Sequence, residues 1–454
     1  MHRSPIHKIV DMLDSSEYEI ECSEIVITCQ DKSTNLRYTT SGTIRQNKSG
    51  ELELRAIWKA PTPSQFVPVD TESLVAALEH GTVIPSTALF QIEAQSVDGK
   101  IWSAKDIYLE SNSYFNTEVA VFSGSLQKIT NRTNYLSPRA SAYSKQLIFD
   151  TSLTHLAANK YSDHGILGKN LDLTELKLGS INCVIQREQK RITINLNSNK
   201  SISNSVASAV KEALEIATGH SLLIIYESAI TPRSITTIIH SKVQKENLWA
   251  LPAPISFHSP ADINNLLDFL KKYQRTPQGK RKIIYTYWRE IGSSSTSTLE
   301  PFAKSITSNV DGLVQKLFQS QSAIDTAFVA ECEAARSAIE TYQKLNPSEI
   351  SERALNRISS NLRNAGAPST KNTLYILFDK DIADHWNNLR HRALHGSIYG
   401  LFNRKQDLLN YIYGCLFIFY ELMMSVIGYK KERINYAEKG YPRSLSKLKL
   451  SKKL

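Results

Sequence analysis

Cysteine is scarce in this chain, and metal-ligand spacing is missing altogether. Five cysteines, Cys22, Cys29, Cys183, Cys332 and Cys415, lie far apart, odd in number and without a C-x-x-C pair. That excludes a disulfide framework and a structural zinc site, and reads as reduced thiols. No H-E-x-x-H, paired-carboxylate motif or Ser-His-Asp order stands out, so metal catalysis is set aside and neither a metal nor a cofactor is expected. Gly279-Lys280 lacks the preceding glycine and the following Ser or Thr of a phosphate-binding loop, which leaves nucleotide hydrolysis unsupported. Apolar runs are short as well. The first 21 residues, "MHRSPIHKIVDMLDSSEYEIE", hold no apolar core of signal-peptide length, so the Asn47 and Asn131 sequons carry no meaning and a cytoplasmic protein is expected. The stretch "YIYGCLFIFYELMMSVIGY", residues 411–429, is short for a membrane span and carries Glu421 near its middle. A central acid there costs about 2.5–3.5 kcal/mol, so a buried bundle helix is expected and no membrane partner.

Acid is the minority charge. Against 44 Asp and Glu stand 54 Lys and Arg, a formal net charge of +10, which favours a polyanionic partner. The excess is uneven: residues 430–454 hold nine Lys or Arg against only Glu432 and Glu438. This tail is suited either to track a nucleic-acid backbone, with strong salt dependence, or to form a disordered solubilising end.

At 454 residues the chain exceeds the size at which one core stops growing, and its patterning predicts an α+β multidomain protein. Residues 1–130 read as a β-rich, sandwich-like module, from runs such as "EIVITCQ", "LELRAIW" and "EVAVFSGSLQKI" separated by turn signals. A short helix is predicted within it from Thr71 to Gly81. Residues 131–290 read as an α+β module docked on the first, with a hairpin ("INCVIQRE", "RITINLNS"), an amphipathic helix ending at Gly219, and two further strands. The Ser/Thr-rich segment 291–300 is the expected hinge. Residues 301–430 carry five helical patterns with apolar residues at three- and four-residue spacings, an all-α C-terminal bundle, and the basic tail 431–454 follows.

Chemistry concentrates in "HWNNLRHRALHGS", residues 385–397. Arg390 and His395 stand there as R-x4-H, followed at once by Gly396. Metal-free RNA cleavage needs an imidazole to move protons to and from the 2'-OH and 5'-O, and a cation on the pentacovalent phosphate. Histidine titrates near neutral pH, and arginine stays charged and binds two phosphate oxygens at once. A five-residue offset is about 140° around an ideal helix, so a kink, a helix end or a second subunit is expected to unite the groups. A solvated helix face is the bland reading of the same residues, and His385 is expected to be a surface or hydrogen-bonded neighbour. Arg392 is expected at the rim, in reach of RNA phosphate.

The string "LRHRALHG", late in a helical domain with a long apolar helix after it, resembles the HEPN ribonuclease signature. The order of a β-rich N-terminal domain, with phrases such as "YTTSGTIRQNKSGELELRAIW", before a C-terminal helical domain is similar to the ApeA-like branch of anti-phage HEPN proteins. The sharp part of the resemblance is eight residues. It implies that Arg390 and His395 are the motif Arg and His, and that His391 occupies the intervening polar position, where the family most often has Asn or Asp. It further implies a homodimer with a composite active site, open to higher assembly, metal-independent cutting of RNA to a 2',3'-cyclic phosphate, and abortive infection. Host RNA, tRNA being one class, is the implied target, and the N-terminal region the sensor of a phage-derived trigger.

A second patch, "LKKYQRTPQGKRKIIYTYWRE" (residues 270–290), interleaves Lys271, Lys272, Arg275, Lys280, Arg281, Lys282 and Arg289 with Tyr273, Tyr285, Tyr287 and Trp288. Such a patch can hold single-stranded RNA by phosphate neutralisation and base stacking. A basic turn before a β-strand whose aromatics face the core is the expected reading beside it. Asp163-His164-Gly165 is read as a polar loop. The rival to the enzyme reading is a non-catalytic RNA- or nucleotide-binding or oligomerisation protein that uses the bundle as a dimer module.

Overall fold

A computed structural model describes residues 5–31, 33, 36–59, 89–113, 119–135, 142–162, 170–188, 190–242, 248–257, 259–321, 326–365, 369–394 and 405–450. The expected Thr71–Gly81 helix, the Asp163-His164-Gly165 loop, His395 and Gly396 lie outside them. The chain is α+β: a large antiparallel sheet fills the N-terminal half and helices follow. It divides into two compact units, the first made of residues 1–211, 220–248 and 258–263, the second of residues 212–219, 249–257 and 264–454.

In the first unit, helix α1 (Pro5–Asp14) precedes β1 (Glu19–Cys29), β2 (Arg37–Gln46), β3 (Leu52–Lys59), β4 (Phe90–Ser96), β5 (Ile101–Ile107), β6 (Glu110–Ser113), β7 (Val119–Leu126) and β8 (Lys128–Asn134). Then come β9 (Tyr143–Asp150), β10 (Lys160–Ser162), β11 (Asn170–Leu178), β12 (Ile181–Glu188), β13 (Arg191–Ser198), helix α2 (Asn204–Thr218), β14 (Leu223–Ile230) and β15 (Ser234–His240). Alternation makes the strands. In β3, Leu52, Leu54, Ala56 and Trp58 are buried while the residues between them face out, and in β13 Ile192, Ile194 and Leu196 do the same. Among the described residues the order is β10-β11-β12-β13-β9-β14-β15-β8-β5-β4-β1-β2-β3-β7-β6, every pairing antiparallel. Strand β8, next to the module boundary expected near residue 130, pairs with β15 along its length and with β5 through Asn131 and Thr130. The hydrogen bonding therefore runs on without a break. Tyr38, Trp58 and Phe122 pack ring to ring at 5.0–6.4 Å in the core, which also takes in Ile148, Ile225 and Ile239. Helix α1 is pinned by charge: Arg191 pairs with Asp14, and Lys242 Nζ lies 2.9 Å from Asp14 and 3.1 Å from Asp150.

The second unit holds the end of α2 and α3 (Ile263–Arg275), α4 (Gln278–Ser294), α5 (Leu299–Leu317), α6 (Thr326–Leu345), α7 (Glu352–Ala365), α8 (Thr370–Leu377), α9 (Lys380–Leu394) and α10 (Lys405–Ile427). Helix α2 ends at Gly219, where φ is +73° and a Cβ would lie 2.1 Å from the Leu251 carbonyl, so only glycine fits. Helix α5 buries Ala303, Ile306, Val310, Leu313 and Val314 at helical spacing, and α9 buries Ala383, Trp386 and Leu389 against α5 and α10. Helices α6 and α7 pack on each other and leave Phe328, Tyr342, Leu345 and Ile358 exposed.

Three elements differ from the sequence expectations. Residues 263–294 form two helices instead of a basic turn and a strand. The β-branched and aromatic run "KIIYTYW" favours a strand locally, but Ile284, Trp288 and Ile291 recur at helical spacing and all are buried. The expected hinge, 291–300, takes in the last turn of α4, the link 295–298 and the start of α5, all in one unit, with Ser295 N–H bonded to the Ile291 and Gly292 carbonyls and Ser305 Oγ to the Glu290 carbonyl. As far as Leu450 the basic tail is folded, not the disordered end that is one of its two readings. It forms the ladder of β16 (Arg433–Ile434) and β17 (Arg443–Ser444), buries Arg433, Asn435 and Tyr436, and bonds back through Tyr436 Oη to the Ala253 carbonyl. Helix α10 is the one described helix long and apolar enough to cross a membrane, and most of it is buried within the fold.

Candidate functional site

Helix α9 carries the chemistry-bearing stretch as far as Leu394. Ile382 and Ala383 N–H donate to the Asp379 carbonyl at its start, and the Lys380–Asp384 pair at 2.6 Å spans its first turn. Asp384 also accepts from Tyr375 Oη of α8. Trp386 anchors the middle. It is buried, and its indole Nε1–H donates to the Thr307 carbonyl of α5 at 3.0 Å.

Arg390, one turn on, lies over that indole. Its guanidinium carbon is 5.1 Å from the ring centroid, within cation–π range. One turn of α5 beyond Thr307 stands Asp311, whose Oδ2 is 4.0 Å from Arg390 Nη2. The other carboxylate oxygen accepts from Thr370 Oγ1 at the start of α8 and from Gln315 Nε2 at 3.0 Å. Arg390 is thus supported below by a fixed aromatic plane and beside by a fixed carboxylate, while 46% of its side chain stays exposed. A guanidinium in that state can take an anion on its open side.

The neighbours divide. His385 packs inward: its ring meets Tyr411 edge-on at 5.9 Å and fills the space over Gly414, where a Cβ would fall 2.2 Å from the imidazole Cγ. Burial pushes its pKa below the ordinary histidine value, against the pull of Asp384 and Asp381, and its Nδ1 has no hydrogen-bond partner among the described residues. His391 is exposed and Arg392 half-buried, both on the last described turn of α9. The other half of the R-x4-H motif, His395, lies outside the described residues.

The second patch does not present its aromatics. Tyr273 Oη donates to Glu212 at 3.0 Å, Tyr285 Oη donates to Glu215, and Trp288 is buried 4.5 Å from the Trp249 ring. Arg281 is buried too, with Nε on the Thr276 carbonyl at 3.2 Å and Nη1 3.6 Å from Glu212. Lys271, Lys272 and Lys280 are half-buried, and Lys282 is exposed. A surface groove of about 380 Å³ between α6 and α7 is lined by Glu340, Lys344, Leu355 and Arg363 among others, and by none of the expected site residues. Among the described residues no group of three or more His, Cys, Asp or Glu is placed to hold a metal ion.

Sequence reasoning missed Asp311 and Thr370. Thr307, Ser308 and Gln315 surround Asp311 on its helix and Thr373 lies one turn from Thr370, so neither stands out locally, and nothing in their spacing ties them to Arg390. No protein-family model matches the chain, and no curated protein matches it.

Proposed function

We propose that the chain is a metal-independent endoribonuclease of HEPN type that acts in the cytoplasm in anti-phage defence. The observation that carries the reading is Arg390: charged, oriented by Trp386 and Asp311, half open to solvent, and on the helix that leads to His395. In the reaction, a base removes the 2'-OH proton and the oxygen attacks phosphorus. The P–O5' bond then breaks and the 5'-oxygen takes a proton, which leaves a 2',3'-cyclic phosphate and a 5'-hydroxyl. His395 serves as base or as acid, the partner subunit's His395 supplies the complementary step in a homodimer, and Arg390 stabilises the charge that builds on the equatorial phosphate oxygens. His391, one position beyond Arg390, adds a donor to the same phosphate. Lys282 and Arg392 are the candidates for wider RNA contacts. The first unit acts as the sensor that keeps the nuclease silent until infection, and host RNA such as tRNA is the substrate.

End-group mapping of RNA treated with the purified protein tests the chemistry. Fragments ending in 2',3'-cyclic phosphate, absent with His395→Ala, support the reading. Fragments with 3'-hydroxyl and 5'-phosphate ends would sink it.

A further inference from the structure

We infer that Asp311 is a positioning residue for anion capture by Arg390, an inference that rests on the proposed function for its kinetic consequences. An exposed arginine samples many rotamers, and a phosphate gains little from a guanidinium that must first be ordered. Here the ordering is done in advance. Trp386 cannot turn, because its indole nitrogen is bonded to Thr307 and its ring is buried. Asp311 cannot turn away, because Thr370 and Gln315 both donate to Oδ1 and so aim Oδ2 at Arg390. At 4.0 Å the contact is a charge contact rather than a tight bidentate pair. It selects the side-chain direction and leaves guanidinium donors free for an incoming phosphate. Gln315 and Thr370 thus act on Arg390 through Asp311.

The test is Asp311→Asn, which keeps an oxygen acceptor for Thr370 and Gln315 and removes the charge. Protein labelled with 15N-arginine gives an Nε–Hε resonance for Arg390, assigned by its loss in Arg390→Lys. In the wild type 15N relaxation of this group is expected to give an order parameter near the rigid value of about 0.85, and in Asp311→Asn one below about 0.6, with the thermal midpoint unchanged. In RNA cleavage, Asp311→Asn is expected to lower kcat about tenfold with KM changed less than twofold, and Asp311→Glu to recover part of the loss. An Arg390 resonance with the same order parameter in both proteins overturns the inference, and so does a rise in kcat, which would make Asp311 a brake. If the wild type cleaves no RNA, the proposed function fails while the resonance still decides whether Asp311 holds Arg390.

Discussion

Two of the arginine–carboxylate pairs in the second unit differ in almost every physical respect. Arg433 and Glu421 are sealed in, with side chains 2% and 0% exposed and Nη1 3.2 Å from Oε1. Arg390 and Asp311 are 46% and 24% exposed and 4.0 Å apart. Around the buried pair almost everything is spent: Glu421 Oε2 accepts from Ser446 Oγ and the Lys447 N–H, and Arg433 Nη2 donates to the Tyr429 and Lys431 carbonyls. Burial pushes the Glu421 carboxyl above the usual carboxylate range and the Arg433 guanidinium below its own, each opposed by the other's charge. The open pair has donors to spare. One arginine holds the tail on the bundle, and the other is left able to bind something else.

The largest expected effect is on the buried pair. Arg433→Ala or Glu421→Ala strands a charge inside the bundle and is expected to cost about 3–5 kcal/mol in urea unfolding. A loss below about 1 kcal/mol would contradict the burial of the pair. Arg390→Ala, by contrast, is expected to change stability by less than about 1 kcal/mol, because an exposed ion pair contributes little, while activity falls by about two to three orders of magnitude. If the two arginines cost the same stability, the distinction between them collapses.

Next in size is the contact between α9 and α10. Gly414→Ala drives a Cβ into the His385 ring and is expected to cost about 1–3 kcal/mol. His385→Ala in the same chain is expected to recover most of that loss, and a double variant no more stable than Gly414→Ala would place the strain elsewhere.

The smallest effect is in pH. The folded protein holds the His385 imidazole neutral by burial, whereas the unfolded chain takes up a proton below about pH 6.5. Its stabilising contribution is therefore complete above that pH and is lost as pH falls through about 6.5 toward the lowered folded value. The wild type is expected to lose more stability than His385→Asn between pH 7 and pH 5.5. Parallel pH curves for the two proteins would contradict the neutral, buried imidazole.

Much of the fold was legible because periodicity reports burial. The alternation in "LELRAIW" and "RITINLNS" marked strands whose inner faces are buried, and an apolar helix interrupted by Glu421 pointed to a bundle interior rather than a membrane. What stayed hidden was set by long-range contact. Nothing near Glu421 says that its partner is Arg433 in a stretch whose charge alone suggested a loose end. The strand-like "KIIYTYW" became helix because Ile284, Trp288 and Ile291 found a core. At the site, Arg390 could be singled out from its motif. Its support could not, since Thr307 is 79 residues from Trp386 and Asp311 is as far from Arg390. The motif marks the residues proposed to react and is silent about what holds them.

The most direct measurement is incubation of the purified protein with total RNA in EDTA, the wild type beside Arg390→Ala and His395→Ala, with folding of all three checked by urea unfolding. The expected result is cleavage by the wild type alone, with three equally stable proteins. Cleavage that survives either substitution, or that EDTA abolishes, contradicts a metal-free site built on Arg390 and His395.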